Sequence, residues 1–263
     1  MPIDSAIALT PSMLAATAAI MFAAGLTQGA LGFGFPSIST PPLMLMTDVK
    51  TAIILNLLPN IAVNVIHTFS GGNWSASLGR YWPVAAWVLA GSALGATFLI
   101  FAPQEPVRLL LAAAIFAYLY QHRLAKLDWS WLARRPRLSA AVFGLTGGFF
   151  SGSVNNSLPP LLIYFTLLGL EMTAMTQMLN LCFLGGKLVQ GATLGLAGQI
   201  ALTAVMANVP LTLVALAGMW IGTRLRRRIS AATYTRLLRW VLFIIAIALL
   251  WQGTRYYFLA LIR

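Results

Sequence analysis

Acidic side chains are almost missing from this sequence: five in 263 residues, against 17 lysines and arginines. Asp4, Asp48, Glu105, Asp128 and Glu171 all lie near the ends of apolar stretches or between them. Paired-carboxylate catalysis is therefore excluded, and coupling to sodium or to several protons through buried carboxylates is disfavoured. There is one cysteine, Cys182, so no disulfide can close within the chain and Cys/His metal sites of ordinary spacing are lacking. Neither HExxH nor GxSxG occurs, which argues against an intramembrane enzyme. No cofactor is called for. The deficit of charge is general: 8% of residues are charged and 59% hydrophobic, whereas soluble domains carry about 25% charged residues. A chain this apolar needs the lipid bilayer as its solvent. The first eleven residues carry Asp4 and no base, the reverse of a secretory signal's basic start.

The net charge of +12 does not point to nucleic acid. The bases cluster in two short stretches, 123–137 and 224–228, between long apolar spans, as cytoplasmic loops do. About 20 apolar residues cross a bilayer. Candidate segments are 12–34, 36–47, 49–70, 80–101, 104–122, 139–154, 157–170, 172–196, 201–223 and 233–252. The second and seventh are short and suit half-spans. This divides the chain into a first membrane repeat, 1–122, a basic linker, 123–138, and a second repeat, 139–263. Trp129 and Trp131 in the linker, with Trp74, Trp82 and Tyr234, suit the headgroup level. Placing both basic clusters in the cytoplasm requires an even number of crossings between them. Segments 139–154 to 201–223 supply four, or two if the first pair is a re-entrant hairpin. Each half then has an odd number of crossings, the halves are inverted, and both termini face the periplasm. Lys50, Arg108, Arg255 and Arg263 fall outside.

One pattern occurs twice. Gly25-Leu26-Thr27-Gln28-Gly29 precedes Pro41-Pro42-Leu43, and Gly144-Leu145-Thr146-Gly147-Gly148 precedes Pro159-Pro160-Leu161. Repeated breaks in apolar segments mark a transporter with two pseudo-symmetric halves. In each break, Gly29 to Pro42 and Gly147 to Pro160, glycines are expected to end a helix and small polar residues to follow: Ser37, Ser39 and Thr40 in the first, Ser153, Asn155, Asn156 and Ser157 in the second. The proline pair is expected at the start of the next helix. Such a start presents free N–H groups and partial positive charge. Two of them meeting at the midplane would bind an anion. The plainer alternative is that the glycines serve close helix packing.

Lys187 stands roughly 15 residues into its span, too deep for easy snorkelling. With no acid to pair it, an anionic substrate is the expected counter-ion; a neutral, desolvated lysine satisfied by carbonyls is the alternative. Asn180, seven residues earlier, shares its face. Asn56, Asn60 and Asn64 recur every four residues around Pro59 and line a polar stripe, read either as a permeation path or as interhelical hydrogen bonding. His67 lies beyond them and is a candidate proton relay; His122 sits at a boundary.

The two breaks, Gly25 to Leu43 and Gly144 to Leu161, resemble those of the TauE/SafE family of sulfite exporters, and the likeness extends over nearly the whole chain. It implies an inner-membrane transporter that moves sulfite or small organosulfonates out of the cell. Phe33 and Phe35 interrupt the first glycine block, a departure from the family's more glycine-dense versions.

The expectation is an all-α polytopic membrane protein of two inverted-topology repeats, with broken or re-entrant helices meeting at the midplane. Its function is export of a small sulfur-containing anion, by alternating access. A carrier of a non-sulfur organic anion and a non-transporting membrane partner or assembly factor are the alternatives. The substrate-binding residues are Ser37, Ser39, Thr40, Asn60, Asn64, Ser153, Asn155, Asn156, Ser157 and Lys187, with His67 as proton relay and no metal. The partners are a small anion and the lipid bilayer, not nucleic acid; a homo-oligomer is left open.

Overall fold

The structure is a computed structural model and describes residues 10–70, 74–124, 126–200, 202–226 and 231–261. Every regular element among them is helical. The first half holds α1 (Pro11–Leu31), α2 (Phe35–Met46), α3 (Val49–Phe69), α4 (Trp74–Phe101) and α5 (Gln104–Leu119). The linker region holds α6 (Gln121–Leu124) and α7 (Ser130–Arg134). The second half holds α8 (Pro136–Val154), α9 (Leu158–Leu167), α10 (Met172–Leu196), α11 (Leu202–Met206), α12 (Val209–Leu225) and α13 (Ala231–Leu261). Asp4, Arg227, Arg228 and Arg263 lie outside the described residues, as do the side chains of Trp74, His122, Tyr234 and Arg236.

Four described helical stretches are long and apolar enough to cross a membrane: Pro11–Leu31, Val49–Phe69, Gly79–Phe101 and Thr203–Leu225. The last is interrupted at its start, since a turn around Asn208 separates α11 from α12. The segment expected over 233–252 is longer than its apolar run and extends over 31 residues. The expected linker 123–138 is partly helical, and α8 already starts at Pro136, where a proline's fixed φ and missing N–H cost nothing.

Two helix crossings join the halves. Gly25 and Gly29 of α1 lie on the backbone of α12 at Ala215 and Met219, and Gly218 and Gly222 of α12 lie on Phe22 and Leu26 of α1. Gly144, Gly148 and Gly152 of α8 lie on α4 at Val84, Val88 and Ser92, and Gly91 and Gly95 of α4 lie on Leu145 and Phe149. Both pairs run parallel, and both use glycines spaced by four, the spacing that lets membrane helices approach to backbone contact. Gly29, Gly148 and Gly152 therefore pack helices rather than end them, whereas Gly32 does end α1, as expected.

Side-chain contacts fix the direction of the other elements. Lys50 at the start of α3 donates to the Ile100 carbonyl near the end of α4 (3.3 Å) and to Gln199 Oε1 just past α10 (2.8 Å). Gly253 of α13 packs on Leu109 and Glu105 at the start of α5. The start of α1, the end of α13 and Lys50 thus share one end of the bundle. The linker, the end of α3 and the end of α12 share the other. α9 turns back along α8: Leu161 packs on Gly147, and Tyr164 stacks on Phe143 at 5.0 Å. Trp129 and Trp131 extend that stack from the linker, at 5.5 and 6.4 Å from Phe143.

Gly148→Val should destabilise the protein by at least about 1–3 kcal/mol, because the added carbons meet the fixed backbone of α4 rather than a movable side chain. Gly195→Ala, with open space around the added carbon, should melt no lower than the wild type. Thermal unfolding of the two variants in detergent checks the contrast.

Candidate functional site

The first break is built from glycine conformations and one glutamine. Gly32 and Gly34 adopt φ of 86° and 106°, left-handed values that side chains resist. The helix then restarts at Phe35, with Pro36 in its first turn. Gln28 spans the gap: its Oε1 accepts from the Phe35 N–H (3.0 Å), and its Nε2 donates to Asn180 Oδ1 (2.7 Å). Asn180 in turn donates to the Gly32 carbonyl at 2.7 Å. The Ser37 N–H is taken by Gly34 (3.1 Å). The expectation that Pro41–Pro42 begins the new helix is thus corrected: the pair lies inside α2. The N–H groups of Ser39 and Thr40 fall beyond its first turn.

The second break matches expectation more closely. α8 ends at Val154, Asn155 takes the left-handed conformation (φ 63°), and α9 starts with Pro159 in its first turn, after Ser157. Asn is one of the few side chains that tolerates this conformation. The Asn156 N–H reaches back to the Phe150 carbonyl at 3.2 Å, closing the end of α8. Two adjacent prolines leave Leu158 as the one N–H donor among the first three residues of α9. Gln190 from α10 seals the end of α8 from the side, donating to the carbonyls of Gly152 (2.7 Å) and Ser151 (3.3 Å).

The breaks touch each other. Ser37 Oγ donates to Asn156 Oδ1 at 2.9 Å, and Asn155 Nδ2 donates to Thr40 Oγ1 at 2.8 Å. All four residues are buried. Asn155 Oδ1 has no partner. Ser39 and Ser153 are buried too, but their hydroxyls donate to the carbonyls four residues earlier in their own helices, at 3.0 and 2.6 Å. Ser157 precedes α9 without a side-chain cap bond.

Lys187 is 2% exposed, and its ammonium donates to Gln190 Oε1. Its side-chain nitrogen is thus one amide removed from the carbonyl end of α8. The buried residues described include no acidic side chain, so the partners on hand are neutral. α10 serves both breaks: Asn180 and Gln190 are about 15 Å apart along it. On α3, Asn56 donates to its own helix at Ala52 (2.9 Å) and Asn64 donates to Asn60. His67 lies in the last turn of α3, away from the middle of the span. The residues that sequence reading missed are Gln28, Gln190 and Asn208. Asn208 donates to the Ile54 carbonyl at 3.1 Å, close to Pro59, which withholds an N–H from the same helix. Glutamine deep in an apolar segment is the signal that would have exposed the first two.

Long apolar helices, helix breaks sealed by side chains and a buried polar centre define a polytopic helical membrane protein. Residues 17–249 match the family described as Sulfite exporter TauE/SafE. The chain belongs to that family of sulfite-exporter-type membrane transporters. No curated protein and no solved structure matches the chain.

Gln190→Leu should destabilise the fold by about 1–3 kcal/mol, since it leaves two carbonyls and the Lys187 ammonium without a partner. Lys187→Met in the Gln190→Leu background should recover part of that loss, and a double-mutant cycle by thermal unfolding measures the coupling.

Proposed function

We propose that the chain exports a small sulfur-containing anion, sulfite or an organosulfonate, through a site where the two breaks meet. The observation that carries this reading is the buried contact of Ser37 with Asn156 and Thr40 with Asn155, with the one buried lysine described bonded through Gln190 to the carbonyl of Gly152, three residues before Asn155. The anion's donors are side chains more than backbone: the Ser37 and Thr40 hydroxyls, the amides of Asn155 and Asn156, and the Lys187 ammonium. The N–H groups that open α2 are largely spoken for by Gln28 and Gly34. Asn60 and Asn64 line the approach from α3, with His67 at its linker end.

The halves 1–122 and 139–263 are inverted repeats in this reading. Exchanging α1 with α8, α2 with α9, α3 with α10, α4 with α12 and α5 with α13 carries each glycine crossing onto the other, and corresponding helices start at opposite ends. The linker end is cytoplasmic, because it gathers Arg80, Arg123, Arg134, Arg135, Arg137, Arg224 and Arg226. Both termini then face the periplasm of the inner membrane. Alternating access follows from rocking of one repeat against the other. An inside-negative potential drives an anion outward by about 2.3 kcal/mol per charge per 100 mV, so export needs no coupling ion.

Counterflow in proteoliposomes tests the substrate. Lys187→Met should abolish sulfite exchange in a protein that still folds, because removing an unpaired cation orphans no acid. Lys187→Arg should also impair it, since a guanidinium fork does not replace a compact ammonium. Wild-type flux through a folded Lys187→Met protein would make the lysine structural. Asn156→Ala should weaken exchange by about tenfold or more, the loss of one to two buried hydrogen bonds. Cysteine labelling at Ser12 and Arg137 should report opposite faces; labelling of both from one face would sink the inverted arrangement.

A further inference from the structure

One turn of α3 near the linker end, on the approach to the breaks, carries polar groups that are not bonded to either break. Asn64, His67 and Thr68 stand at i, i+3 and i+4, so the helix presents them to one side. Val65, Ile66 and Phe69 occupy the outer side and are 37%, 42% and 67% exposed. On the inner side, Asn64 and Thr68 are 0% and 1% exposed. Each of the three inward residues has one buried polar atom with no protein partner: Asn64 Oδ1, His67 Nε2 and Thr68 Oγ1. The Asn64 amide donates to Asn60, so its remaining oxygen can only accept. Buried threonines usually return their hydroxyl proton to the carbonyl four residues earlier, as Thr27 and Thr212 do here. Thr68 does not. Three orphaned polar atoms on one helical turn point to a ligand that satisfies them together.

The chemistry of that ligand follows from the three atoms and their surroundings. Asn64 Oδ1 needs a donor. The Thr68 hydroxyl and a protonated Nε2 can give one. Arg226 closes α12 at the same end of the bundle as the last turn of α3 that holds His67, near enough for its charge to bear on the imidazole, so the position favours an anion. A fully deprotonated oxyanion would turn a lone pair toward Asn64 Oδ1, and its extra charge would add to the opposition that any anion meets at the negative end of the α3 dipole. Water would satisfy the donors and acceptors but leave the guanidinium charge unused. We propose that Asn64, His67, Thr68 and Arg226 form a second site, at the linker end, for a small oxyanion that keeps one proton, of the form HO–XO2−. This rests on the reading of the protein as an anion transporter. It adds a loading position where the protonated form of the substrate is selected before it reaches the breaks.

The chain has two histidines, so isotope-labelled histidine gives two imidazole sets, and His67→Gln assigns one of them. Bicarbonate and acetate, and bisulfite and methanesulfinate, are pairs that differ by hydroxyl against methyl at equal charge. In lipid nanodiscs the His67 resonances should shift saturably with bicarbonate and bisulfite, at concentrations at least about tenfold lower than with the methyl partners. Asn64→Leu should erase that preference, and Thr68→Val should weaken binding of the hydroxyl-bearing anions while the protein melts normally. Equal response to both members of a pair, or no saturable response in the folded wild type, would overturn the site. Lys187→Met keeps the two readings apart. Loss of exchange in that variant with an unresponsive His67 would remove this site alone. A responsive His67 beside normal exchange in Lys187→Met would remove the break site and leave this one standing.

Discussion

Backbone contact at the glycine crossings is the interaction on which the arrangement depends. Lipid tails are as apolar as leucine, so membrane helices gain little from burying apolar surface against each other, and close approach and hydrogen bonding hold them instead. α1 meets α12, and α4 meets α8, through glycines on both partners. Each crossing joins a helix from before the linker to one from after it. The depth of these contacts sets how far α1 and α8 enter the bundle. It thereby sets where their ends, the two breaks, come to lie.

A broken helix in lipid must satisfy its freed backbone groups within the protein. The first break does so through Gln28 and Asn180, the second through Gln190 and the left-handed turn at Asn155. Both α10 contributions come from one continuous helix, so α10 acts as the shared frame of the two breaks. The cost of this solution is that much of the helix-end polarity is already used. What is left for a ligand is side-chain chemistry: hydroxyls, amides and one ammonium. In the function proposed here, that set takes up a small oxyanion, which accepts from several donors at once.

Part of this was legible in residues alone. The apolar runs, the two breaks and the isolated Lys187 are visible without coordinates, because hydropathy and helix breaking are local properties. The second break reads correctly as a helix start at Pro159–Pro160. The first does not, because Pro41–Pro42 looks the same in sequence but sits inside α2, after a restart that Gly32 and Gly34 permit. Of the glycines read as helix ends, Gly32 closes α1, whereas Gly29, Gly148 and Gly152 proved to be packing surfaces. Nothing local distinguishes a glycine that turns the chain from one that admits a neighbouring helix.

The sequence by itself determined the solvent of this protein, the two regions in which its helices break and, among the described residues, the lack of a buried acid beside Lys187. Composition and short-range patterning suffice for these, since each depends on a residue and its near neighbours. Only the tertiary structure decided which groups close the breaks. It paired Gln28 with Asn180, 152 residues away, and Asn155 with Thr40, 115 residues away. It also turned α9 back along α8. Such pairings follow from how the glycine crossings seat the helices, and a hydrogen bond's partner is fixed by distance in space, which the order of residues along the chain does not contain.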